Sequence, residues 1–121
     1  MAKILAVEDE ALLRILIVEM LTDAGHTLLE AADGEAGLAI VKATEDLDLI
    51  ISDVRMSKMD GLALAQAARA LRPDLAIILM TGYMGAELPS GNLAARVIQK
   101  PFDPDRLLSI VDQILSGRTL R

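Results

Sequence analysis

The 121-residue sequence contains no cysteine and no tryptophan, and Tyr83 and Phe102 are its only aromatic residues. Without cysteine, the chain can form neither a disulfide framework nor a thiolate metal site. Few aromatic residues, a net charge of −6 and no basic stripe argue against a nucleic-acid partner. No apolar run approaches the roughly 20 residues of a membrane span, and Met1-Ala2-Lys3 leads into a short strand, not a signal peptide. We therefore expect a cytoplasmic protein that binds neither nucleic acid nor membrane.

Apolar residues are abundant, at 53% of the chain, which favours a sheet that helices cover on both faces. The length suits one domain with a substantial core, and we expect residues 1–121 to form it. We predict strands at residues 3–7, 27–31, 49–52, 76–80 and 95–98, and helices at residues 10–24, 34–44 and 61–72 and from residue 103 onward. Because the loops are short and each crossover is right-handed, this alternation predicts a doubly wound, five-stranded parallel sheet of the α/β class.

The segment after the fourth strand departs from this alternation. Residues 82–92 contain three glycines and a proline, and both residue types oppose a long helix. We expect the fourth helix to be short or disordered.

Acidic residues follow two of the predicted strands at the point where each strand ends. Glu8 and Asp9 follow the first strand, and Asp53 follows the third. Open α/β sheets bind ligands at this carboxyl edge, but two carboxylates about 4 Å apart repel by roughly 4 kcal/mol at an effective dielectric near 20. Carboxylate oxygens are the ligands that Mg²⁺ prefers. The sequence therefore predicts a Mg²⁺ site formed by Glu8, Asp9 and Asp53, with Asp9 as a direct ligand and Glu8 bound directly or through water. The backbone carbonyl of Arg55 is predicted as a further ligand.

Thr81 and Lys100 follow the fourth and fifth strands, so both are predicted to reach the same edge. The metal and Lys100 would neutralise phosphoryl oxygens, and Thr81 would donate a hydrogen bond to one of them. With its charge compensated, a carboxylate can attack phosphorus and form an acyl phosphate. Asp53, central in the sheet, is the predicted nucleophile.

Several short motifs at the strand ends carry a resemblance to a known family. They are Glu8-Asp9, Asp53 with Met56 and Asp60-Gly61, Thr81-Gly82, and Lys100-Pro101-Phe102. With these motifs in combination, the chain resembles a response regulator receiver domain of two-component signalling. The resemblance extends to the receivers of chemotaxis. The resemblance implies a flavodoxin-like fold with strand order 2-1-3-4-5. It also implies phosphorylation of Asp53 by a sensor histidine kinase or phosphotransfer protein, and a cis peptide bond between Lys100 and Pro101.

A narrower resemblance links Leu79-Met80-Thr81-Gly82 to stand-alone receivers with a Phe-Ala-Thr-Gly-type motif. Ser57 and Val97 depart from the usual receiver pattern, which has proline and an aromatic switch residue there. We therefore hypothesise that phosphorylation changes the order of residues 82–92. Because Arg55 and Tyr83 flank the predicted phosphorylation site, we also predict slow autodephosphorylation.

The first helix carries apolar residues on two sides. Leu13, Leu16, Ile17, Met20 and Leu21 are predicted to face the core, with Leu12, Ile15 and Val18 on the other side. Apolar residues opposite a core stripe suggest a partner surface. By resemblance, that surface receives the kinase's phosphohistidine helices or mediates dimerisation, and we expect a monomer or weak homodimer.

Two other function classes compete with a phosphorylated switch that acts on a downstream protein. A Mg²⁺-dependent phosphohydrolase with a phospho-aspartate intermediate would need a second acid two residues after Asp53, but Arg55 stands there. A degenerate receiver that only binds a partner would not need Asp9, Asp53, Thr81 and Lys100 together. We expect a phosphoacceptor switch and not an enzyme.

Overall fold

The structure is a computed structural model that describes residues 2–56, 58–82 and 96–119, apart from the side chains of residues 118 and 119. The elements in chain order are β1 (Lys3–Val7), α1 (Ala11–Asp23), β2 (Thr27–Ala31), α2 (Gly34–Ala43), β3 (Leu49–Asp53), α3 (Gly61–Leu71), β4 (Ala76–Thr81), β5 (Arg96–Gln99) and α4 (Pro104–Thr119). The predictions for Ser57, for Tyr83 and for the helical segment at 82–92 beyond Gly82 fall outside the described residues.

The five strands form one parallel sheet in the order β2-β1-β3-β4-β5. This confirms the predicted doubly wound, flavodoxin-like fold. Successive residues of a strand point to opposite faces, so Ile4 and Ile51 pack with α1 and α4 on one side of the sheet. Leu5 and Ile50 pack with α2 and α3 on the other side. Continuous apolar strands therefore bury both faces of the sheet, as parallel sheets require.

The strand ends differ slightly from the predicted ones. Asp53, Thr81 and Gln99 are the last residues of β3, β4 and β5, one position beyond the predicted ends. Residue 95, the predicted start of β5, lies outside the described residues. Asp53 and Thr81 remain within the strands because their backbones continue the parallel ladder to the next strand, opposite Met80 and Gln99. The side chains at this edge are thus held by the sheet itself.

The orientation of α1 differs from the prediction at two positions. Ile17 and Leu21 are buried, and Leu13 and Met20 pack against the same core. Leu16, predicted to face the core, is instead 51% exposed, whereas Val18 packs against the core. The helix is therefore rotated relative to the predicted stripe.

Backbone carbonyls beside the connection between β3 and α3 lie close to glycines at two helix starts. The Asp60 side chain accepts a 2.9 Å hydrogen bond from the Ala63 N–H and caps the start of α3. A Cβ atom at Gly61 would overlap the backbone carbonyl of Asp53, and one at Gly34 would overlap the carbonyl of Met59. The path of this loop therefore depends on glycine at both helix starts.

None of the helices in the described residues combines the length and apolar character of a membrane span.

Candidate functional site

Four strands bring one polar side chain each to the carboxyl edge of the sheet. Glu8 follows β1, Asp53 and Thr81 end β3 and β4, and Lys100 follows β5. The Lys100 N–H donates a 2.7 Å hydrogen bond to the Thr81 carbonyl, which ties the end of β5 to β4. Residues distant in sequence therefore meet at one edge, as predicted from the strand ends.

The Lys100 ammonium group joins two carboxylates. Its Nζ lies 3.0 Å from Asp53 Oδ2 and 3.1 Å from Glu8 Oε1. Glu8 is only 1% exposed and Asp53 7%. Ionised partners make hydrogen bonds of this kind stronger than neutral ones. The structure therefore places a compensating positive charge directly beside the predicted nucleophile.

The pKa values of Lys100 and Glu8 reflect burial and pairing. Burial acts to lower the pKa of Lys100, but hydrogen bonds to Asp53 and Glu8 outweigh it, so that the pKa rises. Lys100 is thus fully charged at neutral pH. Burial raises the pKa of the Glu8 carboxyl, although hydrogen bonds from the Glu10 N–H and Lys100 act against this rise. The negative charge of Asp53 adds to the increase.

Glu8 is hydrogen-bonded through both its backbone and its side chain. Its N–H donates to the Ala31 carbonyl at 3.1 Å, and its own carbonyl accepts from Arg14 Nη1 at 2.7 Å. Its Oε2 accepts from the Glu10 N–H at 2.9 Å, while Oε1 contacts Lys100. No pattern of residue types could have pointed to this role of Arg14, because a hydrogen bond to a backbone carbonyl leaves none.

The carboxylates of Glu8, Asp9 and Asp53 form a group that fits a divalent cation. One oxygen from each lies within 4.8 Å of the others, and Asp9 is exposed to solvent. Hard oxygen ligands and an open side match the preference of Mg²⁺ for carboxylates together with water or phosphate oxygens. The acidic cluster is therefore consistent with Mg²⁺ binding.

A cavity of about 310 Å³ lies over Asp53. Its lining contains Asp53, Val54, Arg55, Thr81, Gly82 and Lys100. Thr81 is 5% exposed, so it is a mostly buried part of the cavity wall. The cavity thus contains the predicted nucleophile, hydroxyl and ammonium groups, and Arg55, whose carbonyl was predicted as a metal ligand, forms part of its wall. Val54 also lines the cavity, although the positions of the strand ends did not predict it.

Two further features bear on the receiver resemblance. The Lys100–Pro101 peptide bond is cis, as the resemblance implied. Val97, at the position of the usual aromatic switch residue, lies on β5 and is 43% exposed. The proposed change of order in residues 82–92 and the slow autodephosphorylation stay predictions.

Comparison with known proteins identifies the family of the chain. The response regulator receiver domain family matches residues 4–112. The response regulator receiver protein CpdR of Brucella abortus is 30% identical over 118 residues, which are 95% of this chain and 98% of CpdR. The structure of the chemotaxis protein CheY4 of Vibrio cholerae is similar with a TM-score of 0.86 and 33% identity, covering 94% of this chain and 98% of CheY4. The chain belongs to the response regulator receiver domain family, the phosphorylation-controlled domains of two-component systems.

Two further comparisons bear on metal binding and on length. The response regulator TrrA of Thermotoga maritima, solved in complex with Mg²⁺ and BeF, matches with a TM-score of 0.85 and 32% identity, covering 94% of this chain and 99% of TrrA. This chain spans about a quarter of the length of the first curated relatives that it matches.

Proposed function

We propose that this receiver domain accepts a phosphoryl group on Asp53 from a sensor histidine kinase or a histidine phosphotransfer protein, with Mg²⁺ bound beside it. The observation that carries the proposal is the 3.0 Å contact between Lys100 Nζ and Asp53 Oδ2, next to the acidic cluster with Glu8 and Asp9. A charged ammonium group, a metal-binding cluster and a cavity over one carboxylate are the parts that phosphoryl transfer to an aspartate requires.

The transfer itself is a displacement at phosphorus. An Asp53 carboxylate oxygen forms a bond to phosphorus, the phosphorus–nitrogen bond of the donor phosphohistidine breaks, and the imidazole nitrogen retains that electron pair. Lys100 holds positive charge where negative charge builds up, and the Thr81 hydroxyl donates to a phosphoryl oxygen. Glu8, Asp9 and Asp53, with the Arg55 carbonyl, would hold Mg²⁺, which would supply further positive charge at the same place. The product is an acyl phosphate.

The residues around Asp53 favour a switch over a turnover enzyme. Arg55 lines the cavity two residues after the nucleophile, and its guanidinium cannot act as the acid and base that a phosphohydrolase needs there. Accumulation of a single phosphate supports the switch, whereas steady turnover of phosphate esters would support the phosphohydrolase.

The exposed apolar residues of α1 supply a docking surface for the phosphodonor. Leu12 is 78% exposed, Ile15 49% and Leu16 51%, and α1 begins directly after the acidic residues of the site. Such a cluster next to the site suits the helices of a phosphohistidine protein. By the same proposal the protein acts in the cytoplasm on a downstream protein, as a monomer or weak homodimer.

Intact-mass spectrometry after incubation with Mg²⁺ and acetyl phosphate tests the proposal. We expect one added phosphate on the wild type, none on Asp53→Ala, and one on Asp112→Ala, which removes an exposed acid of α4 as a matched control. An unmodified wild type, or a phosphate that persists on Asp53→Ala, would show that Asp53 is not the acceptor.

A further inference from the structure

Arg14 lies outside the acidic cluster but contacts the chain segment that carries Glu8 and Asp9. Arg14, in the first turn of α1, donates from Nη1 to the Glu8 carbonyl at 2.7 Å and from Nε to Glu30 Oε1 at 3.2 Å. Its side chain is 20% exposed, and that of Glu30, on β2, is 48% exposed. Arg14 thus links the β1–α1 connection to the neighbouring strand.

The Glu8 carbonyl determines where the next residue lies. The carbonyl of Glu8 and the N–H of Asp9 belong to one planar peptide unit. A contact that fixes this oxygen also fixes the direction in which the chain enters Asp9. Asp9 is exposed, so packing restrains its side chain less than it restrains those of Glu8 and Asp53. The orientation of the Glu8–Asp9 peptide unit is therefore a main determinant of the position of the Asp9 carboxylate.

The guanidinium group is suited to this contact because its donors lie in a rigid plane. Glu30 accepts from Nε while the Glu8 carbonyl accepts from Nη1. The guanidinium group is therefore hydrogen-bonded both to β2 and to the β1–α1 connection. Glu30 lies opposite Ala6 in the register of β1 and β2, which places its carboxylate close to the end of β1. Glu30 on β2 therefore restrains the position of the guanidinium group, and the guanidinium group restrains the position of the Glu8 carbonyl.

We propose that Arg14 is a positioning residue for the acidic site, holding the Glu8–Asp9 peptide unit so that the Asp9 carboxylate faces those of Glu8 and Asp53. The inference rests on the proposed function in taking Mg²⁺ as the ligand. Partners that orient metal ligands typically change metal affinity by about 10–100-fold when they are removed. Losing the Arg14 contact weakens Mg²⁺ binding by about tenfold.

The direction in which Mg²⁺ affinity changes when Arg14 is replaced distinguishes a positioning role from a purely electrostatic one. Arg14 is a cation near a cation site, so removing its charge alone would tighten Mg²⁺ binding. Positioning predicts the opposite, weaker binding. Arg14→Met removes the contacts and the charge together, whereas Arg14→Lys keeps the charge but cannot span both acceptors with one ammonium group.

Arg72, at the C-terminus of α3, provides a matched control. Arg72 donates to the backbone carbonyls of Val41 and Thr44, so Arg72→Met removes a guanidinium from backbone carbonyls away from the acidic cluster. It changes the net charge by the same amount as Arg14→Met. It therefore controls for long-range electrostatics and for loss of stability.

The test measures Mg²⁺ dissociation constants by isothermal titration calorimetry, and hydrogen exchange of the amides of residues 8–12 without metal. We expect about tenfold weaker binding and faster exchange in Arg14→Met, a smaller effect of the same sign in Arg14→Lys, and wild-type values in Arg72→Met. Equal or tighter binding in Arg14→Met, or an equal loss in Arg72→Met, would overturn the positioning role. Acetyl phosphate labelling of the wild type at Asp53 tests the proposed function separately, since it does not depend on how Arg14→Met binds metal.

Discussion

At the scale of single residues, the site depends on one ammonium group shared between two carboxylates. Lys100 contacts Asp53 and Glu8 within 3.1 Å, and both acids are almost fully buried. Buried charges are tolerated when they are paired. The same pairing places positive charge at the acceptor oxygen, so that one contact serves both folding and the proposed chemistry.

Replacing Lys100 should slow the phosphorylation of Asp53. We expect Lys100→Met to reduce the rate of labelling by acetyl phosphate in Mg²⁺ by about 10²–10³-fold, because the developing negative charge loses a preorganised cation. Phosphate-affinity gel electrophoresis over time measures this rate.

Lys42→Met serves as the control for this experiment, since Lys42 is exposed in the last turn of α2. It should label at the wild-type rate. A Lys100→Met protein that is folded by circular dichroism and labels as fast as Lys42→Met would contradict the role assigned to the ammonium group.

At the scale of elements, α1 shows where sequence patterns stop being informative. Its middle section is apolar on nearly every side, from Leu12 to Val18 except at Arg14. Without polar contrast, helical periodicity cannot determine which side faces the sheet. Packing against β1 and β2 decides the orientation instead, burying Ile17 and leaving Leu16 in solvent.

Substitutions on the two sides of α1 should therefore have different effects. We expect Ile17→Ala to lower the free energy of unfolding by about 2–5 kcal/mol, since it leaves a cavity in the core. Leu16→Gln should change it by less than about 0.5 kcal/mol, as for most exposed positions. Urea denaturation followed by circular dichroism measures both.

The same Leu16→Gln variant, combined with Leu12→Gln, tests the docking surface. Transfer from a phosphorylated histidine kinase should slow, while labelling by acetyl phosphate stays at the wild-type rate. Equal transfer to the wild type and to the double variant would show that the kinase docks elsewhere.

The strands were more predictable than the helices. Runs such as Leu49-Ile50-Ile51 are apolar at every position and end abruptly at polar residues, so the sequence indicated the sheet and the edge at which Glu8, Asp53 and Lys100 meet. Ends shifted by one residue because the ladder continues into polar residues such as Thr81. Arg14 could not be anticipated, since its acceptor is a backbone carbonyl that any residue type provides.

At the scale of the whole molecule, the acidic cluster links metal binding to stability. The chain carries a net charge of −6, and three of its carboxylates lie within 4.8 Å of one another. A ligand that binds only the folded state raises the free energy of unfolding by RT ln(1 + [L]/Kd). Mg²⁺ should therefore stabilise the protein as a whole.

We expect the free energy of unfolding to rise by about 2.7 kcal/mol at a Mg²⁺ concentration of 100 times Kd. The midpoint of urea denaturation should increase with an unchanged slope. Comparing samples in Mg²⁺ and in EDTA at matched ionic strength isolates this effect from general charge screening.

Two asparagine variants make the comparison specific. Asp9→Asn should lose most of the Mg²⁺-dependent increase, whereas Asp46→Asn, which removes only an exposed ion pair with Lys3, should keep it. An increase of the same size in both variants would place the stabilising metal outside the acidic cluster.

The contact between Glu8 and Lys100 joins residues 92 positions apart. During synthesis on the ribosome, the carboxylates of Glu8 and Asp53 emerge long before the ammonium group that compensates them. A nascent chain therefore has the acceptor but lacks its cation, and it has no β5 to complete the sheet. The acceptor site of the proposed function is therefore complete only after residue 100 has been synthesised and β5 has joined the sheet.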